Sequence, residues 1–279
     1  MAELPEVESA RSVIDHTLDR VIVDVDDSDT YVCRPYLPGE IRHALLGKRL
    51  SAAHRRGKSI WCDTVPGPVV LGIHLGMSGK LVVSSPDGSE IYGGDSWEGR
   101  RLPGDYRWSR FSIAFADSSR LMLIDARRLG RVVLDPELGA LGPDAATISL
   151  AGFLAAIARG TAPVKARLLN QHAIAGIGNL LADEILWRAR VNPARPVDEL
   201  TSGEVASLFH ATRGAVSAAL AGGGVHTLAI FPFRVAGARC PRDHAPMARS
   251  VVGGRTSWWC SVEQPLPAAT ARQRGAGPD

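Results

Sequence analysis

The run QHAIAGIGNLLADE, residues 171–184, decides the fold. Val164 to Gln171 before the glycines and Asn179 to Arg190 after them carry apolar residues at helical spacing. Between them lies an apolar turn with Gly176 and Gly178, so the stretch reads as two helices joined tightly. Asn179 leads the second helix and belongs to a residue type preferred as an N-cap. Upstream, Phe153, Leu154 and Ile157 keep the same period. Downstream, Thr201-Ser202-Gly203-Glu204 is a capping-box pattern opening a helix through Leu220. This half of the chain is therefore helical, ending beyond Gly222-Gly223-Gly224 in a short segment with two cysteines.

Before Leu141-Gly142-Pro143-Asp144 the pattern differs. Short alternating runs cover Arg20–Val25, Arg49–Ala53, Ser59–Thr64, Val69–Leu75, Gly79–Ser84, Arg110–Ala116, Leu121–Asp125 and Arg131–Leu134. Turns such as Ser85-Pro86-Asp87-Gly88 and Asp117-Ser118-Ser119 separate them. Many short strands at this spacing predict an antiparallel sandwich or barrel. A short helix from Pro38 to Leu46 interrupts them. Residues 86–109, polar and glycine-rich, read as a surface insertion. At the front, Pro5 suits the first turn of a helix, and Val7, Ala10, Ile14 and Leu18 follow at helical spacing. The expected class is α+β.

Composition sets broad bounds. The chain has 279 residues, 45% of them hydrophobic, and a net charge of +3, which permits a nucleic-acid partner without demanding one. Cys33, Cys62, Cys240 and Cys260 are too few for a disulfide scaffold and suit a reducing compartment. No signal-peptide pattern and no apolar run of bilayer length is present. The expectation is a cytoplasmic protein with no membrane partner.

Several stretches carry chemistry. With Met1 removed, as expected before a residue as small as Ala2, the free α-amine sits beside Glu3 at the mouth of a helix. Such an amine has a pKa near 8 and is nucleophilic near neutrality. It can attack a sugar C1′ or an aldehyde and form a Schiff base. The competing reading is an ordinary acidic helix start, favoured by the helix dipole. His54-Arg55-Arg56-Gly57-Lys58 is either a loop that meets a phosphate or a solvated basic turn. The glycines before Asn179 make an anion site or a plain cap. His74-Leu75-Gly76-Met77-Ser78-Gly79 places Met77 in a glycine-flanked turn, as a wedge into a base stack or as a small core. Arg127-Arg128-Leu129-Gly130 is similar. Positions 240, 243, 260 and 263 keep a C-x2-C…C-x2-C frame with Asp243 and Glu263 in two places, and His244 stands one residue out of register. The set Cys240, His244, Cys260 and Glu263 could hold zinc. Alternatively, the hairpin keeps the shape without the metal. Gly253-Gly254-Arg255-Thr256 reads as a turn presenting Arg255.

In this order, E-L-P-E-V-E, R-R-G-K, H-L-G-M-S-G, D-x-R-R-x-G, G-I-G-N and the degenerate finger resemble the formamidopyrimidine-DNA glycosylase / endonuclease VIII family of base-excision repair enzymes. The match runs from Met1 to about Gln264. The resemblance implies an N-terminal antiparallel β-sandwich flanked by helices over 1–135. It further implies a helix-two-turns-helix domain over 136–225, a zinc-finger-like β-hairpin over 226–265 and a disordered tail over 266–279. It implies a bifunctional glycosylase/AP lyase, with damaged duplex DNA held between the halves. Ala2 becomes the nucleophile on C1′, Glu3 the general acid/base, and Glu6 a supporting residue. Lys58, counted with the catalytic set as well, grips phosphates with Asn179 and Arg255. Met77, Arg127 and Leu129 fill the hole left by the extruded nucleotide. One structural zinc, no organic cofactor, a monomeric state and a bacterial, nucleoid-associated location complete the expectation.

Three features, at four positions, depart from the family pattern. Ala2 stands where proline is usual, Leu129 where the oxidised-purine branch has phenylalanine, and Asp243 and Glu263 where cysteines ligate. A family member that binds damage without chemistry is therefore the alternative. A monofunctional glycosylase using water is a third reading.

Overall fold

The computed structural model describes residues 2–95, 104–158 and 160–266. Most of the expected tail lies outside these residues. The chain divides between Ala140 and Leu141 into two compact units.

Among the described residues the first unit holds nine strands and two α-helices: α1 (Leu4–Ile14), β1 (Ile22–Asp26), α2 (Glu40–Leu45), β2 (Arg49–Arg56), β3 (Ser59–Val65), β4 (Val70–His74), β5 (Lys80–Ser84), β6 (Glu90–Gly94), β7 (Ser109–Phe115), β8 (Arg120–Ile124) and β9 (Arg131–Leu134). They form a five-stranded sheet in the order β1-β7-β8-β5-β6 and a four-stranded sheet in the order β2-β3-β4-β9. Every strand pair is antiparallel. Alternation sets the inward faces. Ile60, Cys62 and Thr64 on β3, and Phe111, Ile113 and Phe115 on β7, are buried while their neighbours are half-exposed. All of these but Thr64 make one core with Leu71, Leu81, Val83 and Leu123, and with Val7, Ala10, Val13 and Ile14 of α1. Each fully buried aliphatic side chain stabilises such a core by about 1.5–3 kcal/mol.

Strand β6 was not legible in the sequence, because it lies within the stretch expected to be a surface insertion. Its Gly93 is the reason for both facts. A Cβ at position 93 would overlap the Ser9 carbonyl of α1, so glycine there marks a helix lying directly on a sheet. Part of the same stretch returns to the sheet, where Tyr106 covers the outer-face cluster of Val82, Met122 and Ile124. Residues 96–103 lie outside the described residues.

The second unit contains α3 (Leu150–Ile157), α4 (Val164–Leu169), α5 (Asn179–Ala189), α6 (Ser202–Gly222), β10 (Met247–Val252) and β11 (Arg255–Cys260). The capping box forms as read: Glu204 N–H donates to Thr201 Oγ1 at 3.2 Å, and Thr201 N–H to Glu204 Oε2 at 2.8 Å. Helix α5 is the axis of the unit, buried continuously from Leu181 to Trp187. It packs on α6 and on β11. The β10–β11 hairpin gathers Trp187, Ile230, Cys240, Met247, Trp258 and Cys260 into a core of its own. Among the described residues no helix is long and apolar enough to cross a membrane.

Candidate functional site

The N-terminal stretch is built into the start of α1. Ala2, Glu3 and Glu6 are 3%, 0% and 2% exposed, so this terminus is core. Glu3 is the N-cap residue, and with Glu6 it forms a capping box. The Glu3 N–H donates to Glu6 Oε2 at 3.0 Å. Glu6 therefore holds the backbone that carries Glu3, and it does so from inside the protein. The nitrogen of residue 2 donates to the Met77 carbonyl at 3.1 Å, which ties the front end to the turn after β4.

That turn and the turn after β8 are one assembly. Gly76 has φ +63°, and a Cβ there would lie 2.5 Å from the carbonyl carbon and oxygen of Leu129. Only glycine allows the two backbones to approach so closely. Asp125, fully buried, joins them from below. It accepts from the N–H of Arg127 at 3.1 Å, the N–H of Gly130 at 2.7 Å and the Ser78 hydroxyl at 3.4 Å. Met77 is half-buried, whereas Arg127 and Leu129 project outward, Leu129 being 40% exposed. Arg128 takes a left-handed φ of +55° and pairs through Nε with Asp29 at 2.8 Å.

Lys58 lies in the two-residue turn between β2 and β3, where Arg56 pairs with Ser59. Gly57 supplies the φ of +59° that such a turn requires at its first central position. Ser59 pairs across the sheet with His74, and His74 with Arg131. Lys58, the Met77 turn and the start of β9 thus share one end of the four-stranded sheet. His74 Nδ1 accepts the Gly76 N–H at 3.0 Å. Burial, reinforced by the positive charges of Lys58 and Arg131, holds its imidazole below the ordinary value. Arg131 Nε is buried without a hydrogen-bond partner. His74, Asp125 and Arg131 were missed as organisers by the sequence reading. His74 and Asp125 open the two motifs quoted, while Arg131 directly follows the second.

In the second unit Gln171 shapes the glycine turn. Its Oε1 accepts from Gly176 N–H at 2.9 Å, and its Nε2 donates to the carbonyls of Leu169 and Ile177, both at 2.9 Å. Gly176 has φ +109°. The cap is Gly178, and Asn179 is the first helical residue, which corrects the expected N-cap. The glycine leaves the helix start open, and Asn179 Oδ1 is buried with no hydrogen-bond partner. One turn later Asp183 meets Lys165 Nζ at 2.6 Å and Arg234 Nε at 2.9 Å. It also accepts from Trp258 N–H at 3.3 Å, while Lys165 reaches the Thr256 carbonyl at 2.9 Å. Burial raises the Asp183 carboxyl, and the two cations pull against that rise. This cluster fastens the hairpin to α5. At the hairpin tip Gly253 and Gly254 have φ +59° and +72°, and a Cβ on Gly253 would sit 2.9 Å from that of Ala166 on α4. Arg255 follows, exposed at the start of β11. Asn179 and Arg255 are thus joined through one buried ion-pair cluster.

The finger gathers Cys240, Asp243, Cys260 and Glu263, whose ligand atoms lie within 4.8 Å of one another; together they could hold a metal ion. His244 is not in this group, which corrects the expected set. Its backbone turns at φ +60° and its side chain is exposed, so the spacing brings the residue before it across from Cys240. The donors fit in number and spacing, but each already has a partner. The Cys260 thiol faces Asp243 Oδ2 at 3.2 Å, and Trp187 Nε1–H reaches Cys240 Sγ at 3.4 Å. Glu263 Oε2 stands 2.5 Å from Arg242 Nε, a charge contact outside hydrogen-bond alignment. Burial pushes the Cys260 thiol up to about 11. The backbone N–H of Ala245, aided by the two thiols, holds Asp243 below the ordinary carboxylate range.

A strand sandwich with a buried helix start, followed by a helical unit ending in a hairpin, is the fold of DNA-bound glycosylases. The chain superposes on Lactococcus lactis Fpg in complex with abasic-site DNA with a TM-score of 0.78 at 22% identity, covering 95% of this chain and all of that one. For the same protein with Fapy-dG-containing DNA the values are 0.79 and 23%, with the same coverage. Residues 1–132 match the formamidopyrimidine-DNA glycosylase N-terminal domain, and residues 140–229 the H2TH domain of that glycosylase. The formamidopyrimidine-DNA glycosylase of Nocardioides sp. (strain ATCC BAA-499 / JS614) is 34% identical over 98% of this chain and 99% of its own. That of Chloroflexus aurantiacus is 34% identical over 95% and 98%. The chain belongs to the formamidopyrimidine-DNA glycosylase family of enzymes.

Proposed function

We propose that the chain is a bifunctional DNA glycosylase/AP lyase that removes an oxidised base from duplex DNA and then cleaves the strand. The observation that carries this is the backbone nitrogen of Ala2, hydrogen-bonded to the turn bearing Met77 and followed directly by a fully buried glutamate, Glu3. A binding protein needs no buried acid at that place. With Met1 removed, Ala2 attacks C1′ and Glu3 moves the protons, while Glu6 holds Glu3 through the capping box. Lys58, Asn179 and Arg255 grip phosphates, which fixes register without reading sequence. Met77, Arg127 and Leu129 occupy the space of the extruded nucleotide. The Lactococcus lactis relative forms complexes with abasic-site, Fapy-dG and oxidised-pyrimidine DNA, which are the substrates proposed here, bound by a monomer in a bacterial cytoplasm.

The same reading assigns catalysis to residues 1–135, the H2TH fold to 136–225 and the finger to 226–265. Zinc suits the finger's two thiols and two carboxylates. Cys240, Asp243, Cys260 and Glu263 would hold it, and its contribution would be to fasten the hairpin. Arg242 competes for Glu263, so the site is a weakened one.

Borohydride trapping on abasic-site and oxidised-base DNA tests the reading. A covalent adduct is expected from protein verified to begin at Ala2, with base release lost in Glu3→Gln. Ala2 in place of proline favours a second reading, a damage binder without chemistry. That reading gains if damage-specific binding survives Glu3→Gln while wild type yields neither adduct nor product.

A further inference from the structure

We propose that the Met77 main-chain carbonyl keeps the proton on the Schiff-base nitrogen of this chain, a task that Ala2 creates and proline would not. The inference rests on the reading of Ala2 as nucleophile. Its starting observation is the 3.1 Å hydrogen bond from the Ala2 backbone N–H, a peptide N–H while Met1 is attached, to Met77 O; removal of Met1 turns this nitrogen into the amine.

The atoms balance as follows. The Ala2 amine forms a bond to C1′, the bond from C1′ to the base breaks, and the base leaves with the electron pair and the proton the new ammonium sheds. The nitrogen lone pair then opens the ring: the C1′–O4′ bond breaks and O4′ takes a proton from the Glu3 carboxylic acid. The product is an iminium that retains one N–H. Glu3, now a carboxylate, takes a proton from C2′. The electrons move into the iminium, and from the resulting enamine they expel the 3′ phosphate. This elimination needs the positive charge on nitrogen as its electron sink. A secondary amine gives an iminium with no N–H to lose. A primary amine gives one that can lose its proton and become a neutral imine, a poorer sink. A carbonyl accepting that N–H favours the charged form. Once Met1 is removed, the same bond, kept at the amine, fixes one amine hydrogen before the attack and so aims the lone pair.

The Met77 carbonyl is held in place from both sides. Asp125 accepts from Ser78, the next residue, and His74 accepts from Gly76, the previous one. The titratable and charged groups around this nitrogen are Glu3 and Glu6 on α1, Lys58 and His74 at the sheet end, and Asp125 and Arg127 on the second turn. All six are common to wild type and Ala2→Pro, so a comparison of the two removes their effect.

The experiment is single-turnover strand scission on preformed abasic-site DNA from pH 7 to 10, with borohydride adduct yield measured alongside. For wild type, scission is expected to fall about tenfold per pH unit above a break point, and for Ala2→Pro to stay level. A protein carrying an ester in place of the Met77–Ser78 amide has a poorer acceptor at Met77, and its break point is expected about one pH unit lower. Superimposable wild-type and Ala2→Pro profiles, with adducts formed, overturn the carbonyl's role and leave the nucleophile standing. An unmoved break point in the ester protein does the same. No adduct from wild type removes both readings together. Should the ester protein not fold, the Ala2→Pro comparison decides by itself.

Discussion

Each unit is organised by one fully buried aspartate, and the two do the job with different partners. Asp125 accepts from uncharged donors, two backbone N–H groups and the Ser78 hydroxyl. Asp183 accepts from Lys165 and Arg234 as well as from the Trp258 N–H. The first arrangement fixes the path of two turns. The second joins three separate chain segments by charge. A carboxylate among N–H groups sets local shape, and losing it loosens loops. A carboxylate among buried cations sets how elements dock, and losing it strands a charge.

The largest expected effect follows from that last point. Asp183→Ala removes the carboxylate that meets Lys165, which is 0% exposed, and leaves a buried ammonium facing the neutral Thr256 carbonyl. The expected loss is about 3–5 kcal/mol in thermal or denaturant unfolding. The combined change Lys165→Met, Asp183→Leu and Arg234→Met should recover most of it, since apolar replacement of a whole buried charge cluster is often neutral. No recovery would break the contrast between the two aspartates.

Asp125→Asn should cost less, about 2 kcal/mol, because it removes acceptors from neutral donors and leaves no buried charge. Its signature is local. Damage-specific DNA binding is expected to fall more than stability does, as the Met77 and Leu129 turns separate. Gel-shift titration beside a melting curve separates the two.

Chelation comes next. One zinc per chain is expected in native mass spectrometry. Its removal should lower Tm by less than Asp183→Ala does, because the Arg242 and thiol contacts retain the hairpin. A chelator effect larger than that of Asp183→Ala would make the metal, and not the buried aspartate, the organiser of the second unit.

The smallest effect is that of pH through His74. Its folded value is lowered from 6.5, so below that pH the unfolded chain binds a proton that the folded chain resists. Stability is therefore fully present above about 6.5 and falls as the solution is acidified. Protonation also removes the acceptor for Gly76 N–H. His74→Gln should flatten the dependence of Tm on pH between 7.5 and 5.5.

Much of this was legible in the sequence. Strand alternation, the Thr201 capping box and the helical spacing around residues 171–184 report local rules, and local rules survive folding. The helix start at the front was legible too, since Pro5 stands in the first turn of α1. What was hidden depends on distant partners. Gly93 looks like loop until a helix is placed on it. Asp125 and Gln171 look like ordinary polar residues until the N–H groups around them are counted. Asn179 has an N-cap side chain, but Gly178 takes the cap because the turn shaped by Gln171 already sets the helix start. His244 is a better zinc ligand by type than Asp243, and spacing outweighs type.

The contact at Gly93 has one more consequence. Helix α1 carries the nitrogen of Ala2, the proposed nucleophile, just ahead of its first turn and rests on the sheet at Ser9, so it behaves as a lever whose fulcrum is a missing side chain. A methyl group at position 93 would act as a shim, tilting the far end by a fraction of an ångström. A misplacement of about 1 Å can cost roughly a hundredfold in rate. On the proposed reading of Ala2, a missing side chain under Ser9, two turns along the helix, thereby sets the aim of the nucleophile with no contact to DNA required.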